Sequence, residues 1–261
     1  MKEDTNIVDY NNISQVYDVG RSANAETVKK LIRLLHVNSD SVLLDTGCGT
    51  GNYTFALKQV LKSVIGIDKS IGMIEQAHAK FPKLQFLCGD VMSLPFNSEM
   101  FNGAVAIQVL HHVERKEKFL MEAYRVLRKG GHIAIHSCSH EQMRAFWFCH
   151  YFPKCLELDL DRVPDVAVIA SMLEKAEFLN VGVEICYNDS VITYETPESY
   201  LDENYRNAIS TFAFLTEKDI ELGCRKLQQD IASGVIKSVI QQYKSKMAIV
   251  GGSSIIYGQK V

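Results

Sequence analysis

The sequence predicts a doubly wound α/β protein, a mostly parallel sheet with helices on both faces and a helical insertion ahead of the last strand. Three observations carry this. Apolar, β-branched runs alternate with helical patterns as far as residue 186, a glycine-rich turn follows the first such run, and a long helical stretch breaks the rhythm before one final apolar run. Parallel neighbours need crossover connections, which is what helices between strands supply.

Val28, Leu31, Ile32, Leu34 and Leu35 share one side of a period of about 3.6 residues, so residues 25–36 read as an amphipathic helix. Strands follow at Val42–Asp45, Val64–Asp68 and Leu84–Leu87, with helices opening near Tyr53 and Ile71. The series continues through strand Gly103–Gln108, helix Arg115–Leu127, strand His132–His136, helix Val166–Phe178 and strand Val181–Cys186. Residues Pro197–Met247 then read as helical, and Ser253–Gly258 as the last strand. There is no internal repeat, and five prolines offer no obvious linker, so residues 1–261 read as a single domain carrying an insertion at 196–245.

Composition narrows the partners. A chain of 261 residues, 47% hydrophobic and 23% charged, has room for one sizeable core and an elaboration. A formal charge of −3 and a pI near 6.2 remove the long-range attraction on which nucleic-acid binders rely, so a small-molecule substrate is expected and nucleic acid is not. The lysines of KSVIQQYKSK, residues 237–246, read as a solvated helix face. MKEDTNIVDYNN lacks the basic-then-apolar form of a secretory signal, and no run of about 18 apolar residues occurs. A cytoplasmic location without membrane contact is the expectation. Cysteines at 48, 88, 138, 149, 155, 186 and 224 form no Cys-x-x-Cys pair, which argues against a disulfide framework and a zinc site.

The chemistry is carried by SVLLDTGCGTGNY, residues 41–53, where a strand ending in Asp45 runs into Gly47, Gly49 and Gly51 before a helix. Glycines let the backbone turn sharply and approach a ligand, and the helix start leaves free N–H groups facing it. A dinucleotide site wants Gly-x-Gly-x-x-Gly, whereas here the third glycine comes one residue early. That shifts the weight from NAD to S-adenosylmethionine (SAM). Asp68 ends the next strand, 21 positions after Gly47, where a carboxylate can accept from both ribose hydroxyls or cap the following helix. Asp90, with the backbone of Val91, follows the third strand and can read both edges of an adenine.

LLDTGCGTG, GIDKSIGMIEQA, GDVMSLPF, AIQVLHHV and RVLRKGGHIAI, in order over residues 41–137, together resemble the class I SAM-dependent methyltransferases, in particular the methyltransferase type 11 group similar to ubiquinone and menaquinone C-methyltransferases. The resemblance implies a seven-stranded sheet in the order 3-2-1-4-5-7-6 with an antiparallel last strand, and SAM as cofactor with S-adenosylhomocysteine as product. It implies that Gly47 and Gly49 line the methionyl part, with Gly51 also among the cofactor-binding residues, that Asp45 holds the ammonium group directly or through water, and that Asp68 binds the ribose, with Lys69 and Met73 flanking the ribose and adenine. Asp90 and Val91 would then read adenine, Gln108 would face the methionine or the acceptor, and Tyr17 and Arg21 in YDVGR would close over the cofactor. Thr46 stands where the family often has another residue.

Methyl transfer from a sulfonium needs an aligned nucleophile and exclusion of water, and no metal. Where the acceptor must lose a proton, His111 and His140 are the leading candidate bases among His111, His112, His136 and His140, packing being the alternative role. In the family's sheet the sixth strand ends on the cofactor side, so residues 196–245 would form a lid. Trp147, Phe148, Tyr151 and Phe152 with Tyr200, Tyr205, Phe212 and Phe214 could line a pocket for a moderately hydrophobic small molecule or could be plain core. A nicotinamide-dependent oxidoreductase, a non-catalytic SAM-binding protein, a thiol or metalloid methyltransferase using Cys138, Cys149, Cys155 or Cys224, and an RNA or protein methyltransferase are the alternatives. A monomer or homodimer is expected.

Overall fold

The computed structural model describes residues 10–14, 17–18, 22–187 and 196–261. A short helix, α1 (Tyr10–Ile13), precedes α2 (Ala25–Leu34), which starts where the Asn24 side chain accepts from the amides of Glu26 and Thr27. Then come β1 (Val42–Thr46), α3 (Asn52–Lys58), β2 (Ser63–Asp68), α4 (Ile71–Lys80), β3 (Gln85–Cys88), β4 (Phe101–Ile107), α5 (Lys116–Val126) and β5 (Leu127–Ser137). The chain continues through α6 (His140–Met143), α7 (Pro153–Arg162), α8 (Val166–Lys175) and β6 (Leu179–Cys186), and ends with α9 (Glu203–Asn207), α10 (Glu217–Ser233), α11 (Ile236–Val250) and β7 (Ser253–Gln259).

The seven strands form one sheet in the order β3-β2-β1-β4-β5-β7-β6, with β7 antiparallel to both neighbours, as expected. Successive strand residues serve opposite faces. Leu44, Ala104, Ala106, Ile133, Ile135 and Ile256 pack with α5 and α8, while Leu43, Val105, Ala134 and Ile255 pack with α2 and α3. Asn102 interrupts the ladder: the register passes from Phe101↔Leu127 to Gly103↔His132, so Arg128–Gly131 loop out opposite a single residue. β5 therefore starts directly at the end of α5, earlier than the sequence pattern indicated.

The stretch read as one helical region is divided. Turns of 3₁₀ helix at Pro197–Leu201 and Ser210–Phe214 flank α9; Thr216 opens α10 with a capping box to Asp219; and Gly234, at φ +79°, ends it. Since β6 lies parallel to β1, β4 and β5, this excursion leaves from the sheet end at which the β1, β2 and β4 loops lie, and the α6–α7 segment leaves β5 at the same end. The two excursions share a separate core containing Trp147, Phe148, Phe152, Tyr200, Tyr205 and Phe212 and no sheet residue. Phe148 stacks on Tyr200 at 5.2 Å, and Phe152 meets Phe212 edge-on at 4.9 Å. These aromatics fill each other's space as a core.

Phe148→Ala should therefore remove about 3–5 kcal/mol from this layer. Hydrogen exchange should show faster opening of residues 197–250 while amides of β1, β4 and β5 keep their protection; uniform acceleration across the sheet would contradict a separate core.

Candidate active site

The loop after β1 is folded back onto β2. The Gly47 and Cys48 amides both donate to the Ile67 carbonyl, at 2.7 and 3.1 Å, and the Gly49 amide donates to Asp68 Oδ2 at 2.8 Å. The glycines serve different ends. A side-chain carbon at Gly47 would fall 2.2 Å from Val109 Cγ2, and one at Gly51 would fall 2.6 Å from Phe86, so close packing excludes both. At Gly49 the nearest atom would be Tyr17 Cε1 at 3.6 Å. Gly49 thus presents bare backbone to the crevice, with the Tyr17 ring over it.

Asp68 does not cap α4. Its Oδ1 accepts from the Ser70 amide at 2.9 Å, and the Ser70 hydroxyl itself caps the helix by accepting from Met73 N–H. The other carboxylate oxygen holds Gly49, so the group sits between the glycine loop and α4, and burial raises its pKa despite these amides. Asp45, 1% exposed, accepts from the Thr54 hydroxyl at 2.6 Å, and burial lifts its carboxyl to about 7, with Asp68 adding repulsion. Neither acid forms an ion pair among the described residues. Asp90, just past the carboxyl end of β3, accepts from Met92 N–H at 2.8 Å, and the Val91 side chain belongs to the main core. Met73 is buried and Lys69 is exposed.

Gln108 follows β4 in the left-handed region at φ +55°, its amide donating to the His136 carbonyl, and its buried side-chain Nε2 has no partner among the described residues. A buried donor of this kind costs about 1–3 kcal/mol until an acceptor arrives. His111 lies in the 3₁₀ turn Leu110–His112, its ring 4.0 Å from that of His112. His140 starts α6, just past the carboxyl end of β5, and its ring Nε2 bonds the Val163 carbonyl at 2.9 Å. His136 is buried in β5 against Ser253. Arg21 lies outside the described residues.

Sequence reasoning named Tyr17 and Arg21 in the segment before α2 but missed the contacts of Tyr10, Asn11 and Asp18. Tyr10 bonds His112 through its hydroxyl, and its ring meets that of Tyr17 edge-on at 6.1 Å. Asn11 Oδ1 accepts from the Ser70 hydroxyl and the Gly72 amide, and Asp18 accepts from Thr50, Asn52 and Lys80. Each partner is far away in sequence, so no local pattern announces them.

Two carboxylates without a cation, an open Gly49 and an orphaned Gln108 amide fit a ligand with cationic groups and oxygen acceptors, and SAM has both. The comparisons agree. Residues 44–135 match a methyltransferase domain family. A demethylmenaquinone methyltransferase of Lactococcus lactis is 27% identical over 208 residues, 66% of this chain and 81% of that protein. A tRNA (carboxymethyluridine(34)-5-O)-methyltransferase of Saccharomyces cerevisiae is 34% identical over 105 residues, 39% of this chain, which thus spans little more than a third (37%) of that relative. A solved putative methyltransferase from an antibiotic biosynthesis pathway of Anabaena variabilis superposes with TM-score 0.76 at 26% identity, covering 92% of this chain and 99% of its own. Residues 44–135 thus carry a methyltransferase domain of the SAM-dependent kind, on a fold shared with solved methyltransferases. No helix among the described residues is long and apolar enough to cross a membrane.

The raised Asp45 carboxyl makes stability depend on pH. Its folded value, about 7, exceeds the unfolded value of about 3.9, so its stabilisation is complete below the latter and is lost as pH rises through about 7. Without cofactor, Tm should fall between pH 5 and 8, and Asp45→Asn should flatten that slope; an unchanged slope in the variant would place the titration elsewhere.

Proposed function

We propose that this chain transfers the methyl group of SAM to a small, moderately hydrophobic acceptor. What carries the reading is the buried Asp45 and the half-buried Asp68 beside the glycine loop, whose Gly49 amide Asp68 holds, at the carboxyl ends of adjacent strands, the place where open α/β sheets take their ligands. Bound there, SAM would supply a methyl carbon activated by its sulfonium for displacement by the acceptor's electron pair, with sulfur as the leaving group.

The chain's own residues bind and orient. Asp45 and the Gly47–Gly49 backbone hold the methionyl end, Asp45 facing the ammonium. Asp68 accepts from the ribose hydroxyls, with Lys69 and Met73 flanking, while Asp90 and the Val91 amide read adenine. Gln108 directs its amide at a ligand oxygen. Tyr17 covers Gly49 and keeps water out. Where the acceptor must lose a proton, His111 and His140 are the candidate bases, the His140 ring being held through Nε2 by the Val163 carbonyl. The layer formed by residues 140–163 and 196–250 covers the acceptor. A small-molecule acceptor is supported by the net charge of −3 and by the name of the Lactococcus lactis relative.

Isothermal titration tests this. SAM and S-adenosylhomocysteine should bind, NAD should not, and Asp68→Ala should weaken SAM by about tenfold or more, equivalent to about 1.4 kcal/mol. A folded protein that ignores SAM would overturn the reading, NAD binding would favour a dehydrogenase, and SAM binding with no product from a broad acceptor panel would favour a non-catalytic binder.

A further inference from the structure

The sheet end opposite the cofactor crevice carries a second cleft, of about 420 Å³, between the carboxyl end of α2 and the amino ends of β1, β4 and β5. Its wall is the loop of residues 128–131. Gly130 takes φ +77° there, and a side-chain carbon at Gly131 would fall 2.8 Å from the Arg128 carbonyl oxygen, so the loop depends on both glycines. β7 fixes it from behind. The Gly130 amide donates to the Lys260 carbonyl and the Lys260 amide to the Gly131 carbonyl, both at 2.8 Å, while Lys260 Nζ bonds the Leu127 carbonyl at 2.7 Å and faces Glu99 at 3.8 Å. A bulge held this firmly presents Arg128 and Lys129 at the cleft instead of leaving them on a loose turn.

Across the cleft, the rings of His36 and His132 lie 4.8 Å apart at 37°. Burial and the neighbouring His36 lower the His132 pKa. Asn102 accepts from Val42 N–H through Oδ1 at 2.9 Å, which turns its amide nitrogen outward as a donor. The carboxylate in the lining is Asp40, and among the described residues neither Arg128 nor Lys129 pairs with it or with any other acid. The cleft therefore offers a planar guanidinium fork, an ammonium, two imidazoles and an amide against one carboxylate. That donor set suits a tetrahedral oxyanion.

We propose that this cleft is a binding site for a phosphate monoester, distinct from the cofactor crevice and independent of the methyl-transfer reading. The phosphoryl group meets Arg128, Lys129 and the histidine pair, and the rest of the volume, far larger than phosphate alone, takes the organic part. Protonation of His132 adds charge facing the anion, so binding strengthens as pH falls through the histidine range.

The test follows the imidazole resonances of His36 and His132 in the full chain during titration with inorganic phosphate, glycerol 3-phosphate and sulfate, with ionic strength held by chloride. Saturable shifts are expected, with glycerol 3-phosphate the tighter of the two phosphates. Sulfate, whose charge is constant from pH 6 to 8, should bind about threefold or more tightly at pH 6 than at pH 8. The double variant Arg128→Ala/Lys129→Ala, at exposed positions, should weaken glycerol 3-phosphate by about tenfold and leave SAM affinity unchanged. Shifts that do not saturate, that chloride reproduces or that survive in the double variant would overturn the proposal, and tighter binding of inorganic phosphate would remove the monoester.

Discussion

The Asp68 carboxylate takes an amide from Gly49 on one side and from Ser70 on the other, and the shape of the ligand end depends on that double attachment. β1 and β2 are parallel neighbours, so their carboxyl ends lie side by side. The loop leaving β1 is drawn across onto β2, where the Ile67 carbonyl takes the next two amides. Only then does the chain enter α3. Val109 and Phe86 press on this loop from β4 and β3, which leaves no room for a side chain at 47 or 51. Strand pairing, loop path and glycine placement are thus one arrangement, with Gly49 as the face left for a ligand.

That arrangement stores an electrostatic deficit. The buried Asp45 and the half-buried Asp68 lie close enough to repel, and the contacts they receive are a hydroxyl and backbone amides, with no cation paired to them among the described residues. A buried acid in this position holds its proton or awaits a positive partner. A cationic ligand relieves both conditions at once. The two excursions that leave the ligand end pack on their own core and are pinned through a polar clasp in which Arg162 bonds Asp159, Ser210 and Thr211. The clasp ties α7 to the turn before α10.

Much of this was legible in the residues. Apolar runs marked every strand, and the glycine spacing with acids at successive strand ends pointed to the loops after β1, β2 and β3, because those features are local. The strand order followed from family resemblance. The breaks inside residues 197–250 were also written locally, in Thr216 with Asp219 and in Gly234, yet an apolar helical period spanning them masked the punctuation. The reach of Tyr10, Asn11 and Asp18 to His112, Ser70 and Lys80 had no such trace, since contacts of that sequence separation leave no period to read. Whether the aromatics of 147–152 and 200–214 line a pocket or fill a core also depended on tertiary packing, and the core prevailed.

The net charge illustrates how a sum can hide a pattern. A value of −3 reads as a mildly acidic surface, but among the described residues the sheet has opposite characters at its two ends: carboxylates without an ion pair beside the glycine loop at the carboxyl end, and Arg128 and Lys129 without one at the amino end. Exposed charges separated by more than about 10 Å are largely screened from one another in ordinary salt. A ligand approaching either end therefore responds to the charges within that distance, and the total governs solubility and long-range steering only. Composition can thus argue against an extended polyanion such as nucleic acid along this surface, while a compact anion meets a local field of the opposite sign.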